Sequence, residues 1–157
     1  MGIKIRHMRK RDLSTLSVGY VRAYEIYSKW ERWDKEAAYR LFEYWLKRQP
    51  DLAFVAECDK VVVGAFVAGI KPWWDGNHLV DGELFVDPEY QKKGVGKALL
   101  RAVLEEAIRK YGAVVWEAIT FKETGFPLSW YTKLGFGEIK GLTIIGGNVK
   151  DALKKLA

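Results

Sequence analysis

Leu84-Phe85-Val86-Asp87-Pro88-Glu89-Tyr90-Gln91-Lys92-Lys93-Gly94-Val95-Gly96-Lys97-Ala98-Leu99-Leu100 reads as a buried strand, a Pro-containing turn, a basic glycine loop and an apolar helix. A helix start carries unpaired backbone N–H groups and a partial positive charge, which together hold phosphate well. Gly94 and Gly96 let the backbone approach an anion with no Cβ in the way. Lys92, Lys93 and Lys97 oppose the helix dipole unless an anion is present. The segment is therefore expected to hold a phosphorylated cofactor.

Two common phosphate loops do not fit. The dinucleotide pattern G-x-G-x-x-G needs a small residue where Leu99 stands. The triphosphate loop G-x-x-x-x-G-K-[ST] needs glycine where Gln91 stands and a hydroxyl where Ala98 stands. What remains is Q-x-x-G-x-G after a strand, carried by Gln91, Gly94 and Gly96. This resembles the acyl-CoA loop of the GNAT superfamily of N-acetyltransferases, (Q/R)-x-x-G-x-(G/A). A later segment with Tyr131, Leu134, Gly135 and Phe136 is similar to that family's Y-x-x-L-G-F. The two matches stand in the family's order and cover roughly residues 79–137.

The pattern of elements agrees. Ile3 to His7 alternates as a strand, and Asp12 is placed to cap a helix reaching about Trp30. Asp34 caps a second helix through about Arg48, ended by Gln49-Pro50. Leu52–Cys58 and Val61–Ile70 form a hairpin, residues 71–77 a loop, and Leu79–Val86 the next strand. A helix over Gly94–Tyr111 stops at Gly112, and Ala113–Thr120 is again a strand. Pro127 opens a short helix ending at Gly135; strands follow at Phe136–Ile139 and Leu142–Ile145. Asn148 caps a last helix, Val149–Leu156. The chain is expected to be one α+β domain over residues 1–157. The resemblance implies a mostly antiparallel mixed sheet, splayed between its fourth and fifth strands to admit acyl-CoA, and flanked by helices.

Composition bounds the alternatives. No stretch of about 18 apolar residues offers a membrane span. The charged start Met1–His7 lacks an apolar signal core, Arg6 stands where myristoylation wants a hydroxyl, and Cys58 is the sole cysteine. These features favour the cytoplasm. The net charge of +6 lies in residues 1–50, which hold 12 Lys/Arg against 6 Asp/Glu, while residues 51–157 balance. That excess is read as a solvated face rather than a nucleic-acid surface or an anionic-substrate funnel. With only His7, His78 and Cys58 available, no metal-ligand spacing or Ser-His-Asp arrangement stands out.

The reaction implied is attack of an amine on a thioester. The ammonium must lose a proton, and the departing thiolate must gain one or be stabilised. Tyr131 aligns with the family tyrosine near the CoA sulfur and is the candidate acid; packing of the short helix would explain it equally. Glu83 is the leading base, on the strand before the loop, with Asp81, His78 or a water chain as competitors. Alternation puts Asp81, Glu83 and Phe85 on one face. The resemblance implies that the backbone of Leu84, Phe85 and Val86 pairs with the pantetheine arm. It likewise implies that Gln91, Lys92, Lys93, Gly94, Val95, Gly96 and Lys97 meet the phosphates. Many relatives carry asparagine and alanine where this chain has Thr124 and Pro127, which leaves Thr124 a single hydrogen bond to the cofactor arm.

Tyr27, Trp30, Trp73 and Asp81 are candidate acceptor contacts, although helical spacing equally suits Tyr27 and Trp30 to core packing. Trp116-Glu117 is similar to a W-E pair of polyamine acetyltransferases, but the basic N-terminal half argues against a polycation. The function expected is transfer of an acetyl group from acetyl-CoA to a primary amine, small or peptidic, in a ternary complex. A noncatalytic acyl-CoA-binding domain is the alternative, ahead of a basic nucleic-acid-binding protein. C-terminal edge strands offer a homodimer surface.

Overall fold

The computed structural model describes residues 2–156, and of Asp81 only the backbone. The chain forms two compact units, up to Phe121 and from Lys122 onward. The first unit is a five-stranded sheet in the order β1-β2-β3-β4-β5. Its strands are β1 (Ile3–His7), β2 (Ala53–Cys58), β3 (Val61–Trp73), β4 (Gly76–Val86) and β5 (Ala113–Trp116). All neighbours are antiparallel except β4 and β5. Three helices cover the sheet: α1 (Leu13–Tyr27), α2 (Lys35–Arg48) and α3 (Val95–Tyr111).

The packing follows from helical and strand periods. α1 buries Leu13, Leu16, Tyr20 and Ala23, and α2 buries Ala38, Phe42 and Trp45. These meet Ala53, Val55, Ala65, Val67 and Phe85 on one face of the sheet. Tyr20 is the hub, with Trp33, Phe42 and Phe85 edge-on to its ring at 5.1, 5.2 and 5.3 Å. Each such pair adds roughly 1 kcal/mol beyond the area it buries. α3 turns Val95, Leu99, Val103 and Ala107 toward β2, β3 and β4. β2 and the middle of β3 are accordingly buried on both faces.

Two features of β4 shape the site. Opposite Val67 stands Glu83, but opposite Gly69 stands Val80, so β4 carries an extra residue at 81–82. Gly82 takes φ +81°, and a Cβ there would lie 1.7 Å from the Val67 carbonyl oxygen. The bulge thus requires glycine. The parallel ladder to β5 ends early: Asn77, His78 and Leu79 are its β4 members, and the Glu117 amide bonds the Leu79 carbonyl at 2.9 Å. Beyond Leu79 the sheet is splayed between its fourth and fifth strands.

The expected elements are corrected at several ends. α1 stops at Tyr27, not Trp30: Ser28 is extended, and its hydroxyl accepts from the Trp30 and Glu31 amides. Asp12 does not cap α1 through its side chain, because Arg6 and the Arg9 amide occupy its carboxylate. Asp34 does cap α2, accepting from Ala37 at 2.7 Å. Residues 71–77 are mostly strand, since β3 and β4 run on as a ribbon with Trp74-Asp75 at its tip. β5 ends at Trp116, where the strand departs from β4.

The second unit carries α4 (Leu128–Lys133) and α5 (Val149–Leu156). Asn148 caps α5 by accepting from the Lys150 and Asp151 amides. The strands expected at Phe136–Ile139 and Leu142–Ile145 do not form. Gly135, Gly137, Gly141, Gly146 and Gly147 interrupt that stretch, and glycine weakens a strand that finds no partner. The edge on which a homodimer was expected is therefore missing with them.

Candidate functional site

Glu83 lies on β4 just past the bulge, half-buried, on the face toward α1. Its Oε2 accepts from the Tyr24 hydroxyl at 2.9 Å. Tyr20 stands beside the same carboxylate. Burial pushes the Glu83 carboxyl above its ordinary range, and the Tyr24 hydroxyl partly offsets this. The same surroundings push the Tyr24 phenol strongly upward, first by burial and then by the Glu83 charge. Tyr24 is therefore a donor that stays protonated.

The turn after β4 is stitched to α1. Gln91 donates from Nε2 to the Val86 carbonyl at 2.9 Å and accepts from the Tyr27 hydroxyl. Lys92 and Gly94 both adopt left-handed backbone, φ +59° and +87°, which turns the chain sharply into α3. The first intrahelical bond runs from Ala98 N to Gly94 O, so the amides of Val95, Gly96 and Lys97 precede it. A Cβ on Gly94 would meet nothing nearer than Ile3 Cδ1 at 3.9 Å, so the loop mouth is open. Lys92 and Lys97 are exposed, whereas Lys93 reaches back to the Glu89 carbonyl and lies over the Tyr90 ring.

Other expected contacts fall differently. Tyr27 donates its hydroxyl to Gln91, in the turn before α3. Trp30 is 61% exposed and Trp73 52%, the latter under the Lys71 ammonium at 4.3 Å. The side chain of Asp81 lies outside the described residues. Leu84, Phe85 and Val86 follow the bulge, but the Val86 carbonyl is already taken by Gln91. His78 is buried between Asp75 and Glu117, and Glu117 also binds Lys71 at 3.1 Å. The bond to Glu117 comes first among the causes that raise the His78 pKa, and carboxylates engage both ring nitrogens, which leaves neither free to act as a base. Glu117, shared by His78 and Lys71, is not a free acceptor carboxylate. In the second unit, Tyr131 is half-buried on α4, its ring 5.0 Å from that of Trp130. The Thr124 hydroxyl donates to the Phe126 carbonyl at 2.5 Å.

Sequence reasoning missed the partners of Glu83. Tyr20 and Tyr24 were visible as an i, i+4 pair, but the spacing reads as core packing. Nothing in the sequence marks Glu31, which the α1–α2 loop brings, together with Trp33, beside Tyr24.

The β4–β5 ladder thus ends at Leu79, and the N-terminus of α3 is open at Gly94. The chain matches the Acetyltransferase (GNAT) family over residues 19–136 and belongs to it. It is 32% identical over 138 residues to an uncharacterized N-acetyltransferase of Methanocaldococcus jannaschii, covering 85% of this chain and 60% of that protein. The chain thus spans about three fifths of that relative's length. A Pyrococcus horikoshii crystal structure superposes with TM-score 0.72 at 27% identity, over 91% of this chain and 94% of that one. An aminoglycoside N-acetyltransferase solved in complex with CoA shares the fold, with TM-score 0.69 at 24% identity over 93% and 95% of the two chains.

Proposed function

We propose that this chain transfers an acetyl group from acetyl-CoA to a primary amine by direct attack in a ternary complex. The observation that carries the reading is the fork after Leu79, with the α3 N-terminus open at Gly94 and a half-buried carboxylate, Glu83, on the splayed part of β4. In this reading the amides of Val95, Gly96 and Lys97 hold the diphosphate, with Lys92, Lys93 and Lys97 neutralising its charge. Leu84 and Phe85 offer backbone groups to the pantetheine arm, and Thr124 offers its hydroxyl.

Glu83 takes a proton from the ammonium of the acceptor, directly or through water, which frees the nitrogen lone pair for attack on the thioester carbonyl. Tyr131 gives its proton to the thiolate as the C–S bond breaks, and the second proton that the nitrogen loses returns through water to the phenol, a role supported by the resemblance of its segment to the family's. We propose one working domain over residues 1–157, supported by a family match over residues 19–136 that enters both units.

Calorimetry with acetyl-CoA and CoA, followed by thiol release across a panel of amines and peptides, tests the reading. Binding with turnover is expected, and Tyr131→Phe should lose turnover while keeping cofactor affinity. Equal activity in that variant removes Tyr131 as the acid. Binding without turnover on any amine selects a noncatalytic acyl-CoA-binding domain, and no heat with either nucleotide ends both readings.

A further inference from the structure

Glu31 sits in the loop between α1 and α2 and accepts from Trp33 Nε1 at 2.7 Å through Oε2. Among the described residues it pairs with no cation. The Trp33 ring lies edge-on to Tyr24 at 5.9 Å and to Tyr20 at 5.1 Å. Phe121 closes on Tyr24 from another side at 5.8 Å. Tyr24 in turn bonds Glu83, so two carboxylates face a small aromatic wall, near enough for Glu31 to oppose ionisation of Glu83.

A second observation is independent of the acids. The Tyr20 hydroxyl is fully buried and meets no partner in hydrogen-bond geometry, although it lies beside Glu83 and Tyr24. A buried hydroxyl left this way is destabilising unless a partner arrives. An amine N–H beside Glu83 supplies one.

Resting on the N-acetyltransferase reading above, we propose that the acceptor is an alkyl amine carrying a second cationic group. Its reacting nitrogen meets Glu83 and Tyr20, its chain lies on the Tyr24 and Trp33 rings, and Glu31 holds the second charge. One carboxylate suffices as a base; a second across an aromatic wall suits a second cation, which the ring faces also favour. The basic N-terminal half does not prevent this. Arg11 stands thirteen residues before Tyr24, roughly 20 Å at the helical rise and beyond the ~8 Å reach of charges in physiological salt. Lys29 and Arg32 are exposed on the loop and Lys35 at the start of α2, where water screens them.

Thiol release from acetyl-CoA is measured with straight-chain α,ω-diamines and with monoamines of equal length. The expected kcat/KM ratio is about tenfold in favour of the diamine. Glu31→Gln should bring the ratio toward one, and Glu31→Asp should keep part of it. A ratio near one in the unaltered protein, or one unchanged in Glu31→Gln, overturns the proposal. Calorimetry of the same amines into the CoA-loaded protein separates this from the activity itself. Heat selective for the diamine and dependent on Glu31, without turnover, removes the enzyme but keeps the pocket. Equal or absent heats remove the charge selectivity whatever the turnover.

Discussion

A general base acts only when deprotonated, so the environment of Glu83 sets the lower pH limit of the proposed reaction. Burial raises its pKa, which moves the rising limb of kcat/KM above the ordinary glutamate value of 4.5. The Tyr24 hydroxyl favours the charged form, and Glu31 opposes it. Tyr24→Phe removes a hydrogen bond to a charged group, a loss of about 1.5 kcal/mol, and should move that limb upward by about one pH unit. Glu83→Gln should remove the limb altogether. The check is a pH–rate profile with one amine, and an unmoved limb in Tyr24→Phe would assign the base elsewhere. The tyrosines show why the site was half-legible. Glu83 could be placed from its strand and its alternation with Phe85. Its hydrogen-bond partners lie 59 residues away in sequence and look like core until the helix docks.

At the scale of elements, the turn from β4 into α3 was read correctly because its signals are local: Pro88, the glycines and the apolar period of the helix. The bulge was not, because a bulge depends on the partner strand. Gly82 is where that dependence is testable. A Cβ would strike the Val67 carbonyl at 1.7 Å, and φ +81° is itself unfavourable for alanine. Gly82→Ala should therefore destabilise the fold by about 3 kcal/mol or more. Gly112 also has a positive φ, +59°, but open space around it, so Gly112→Ala should cost only about 1 kcal/mol. Denaturant midpoints of the two variants make the comparison; equal losses would mean that the β3–β4 contact is not what fixes the bulge. The C-terminal strands failed for a related reason. Leu142 to Ile145 has strand-forming side chains, but pattern alone cannot supply the neighbour a strand needs.

For the whole molecule, ligand and fold are linked by mass action. Any ligand that binds only the folded chain raises its stability by an amount set by concentration over Kd. At 100 times Kd this is about 2.7 kcal/mol, and for a chain of this size it raises Tm by roughly 5–10 °C. Acetyl-CoA and CoA should both do so, since the proposed contacts are to the shared diphosphate and pantetheine. Dephosphorylated pantetheine, lacking the group that the α3 N-terminus would hold, should give a much smaller rise at equal concentration. Gly94→Val puts a side chain at the open mouth of that turn, at a left-handed backbone position. It should lower Tm modestly by itself and then remove most of the rise given by CoA, each variant being compared with its own ligand-free midpoint. A rise equal to that of the unaltered protein would show that the diphosphate does not sit against these amides. The fork and the helix start would then have to be explained without coenzyme A.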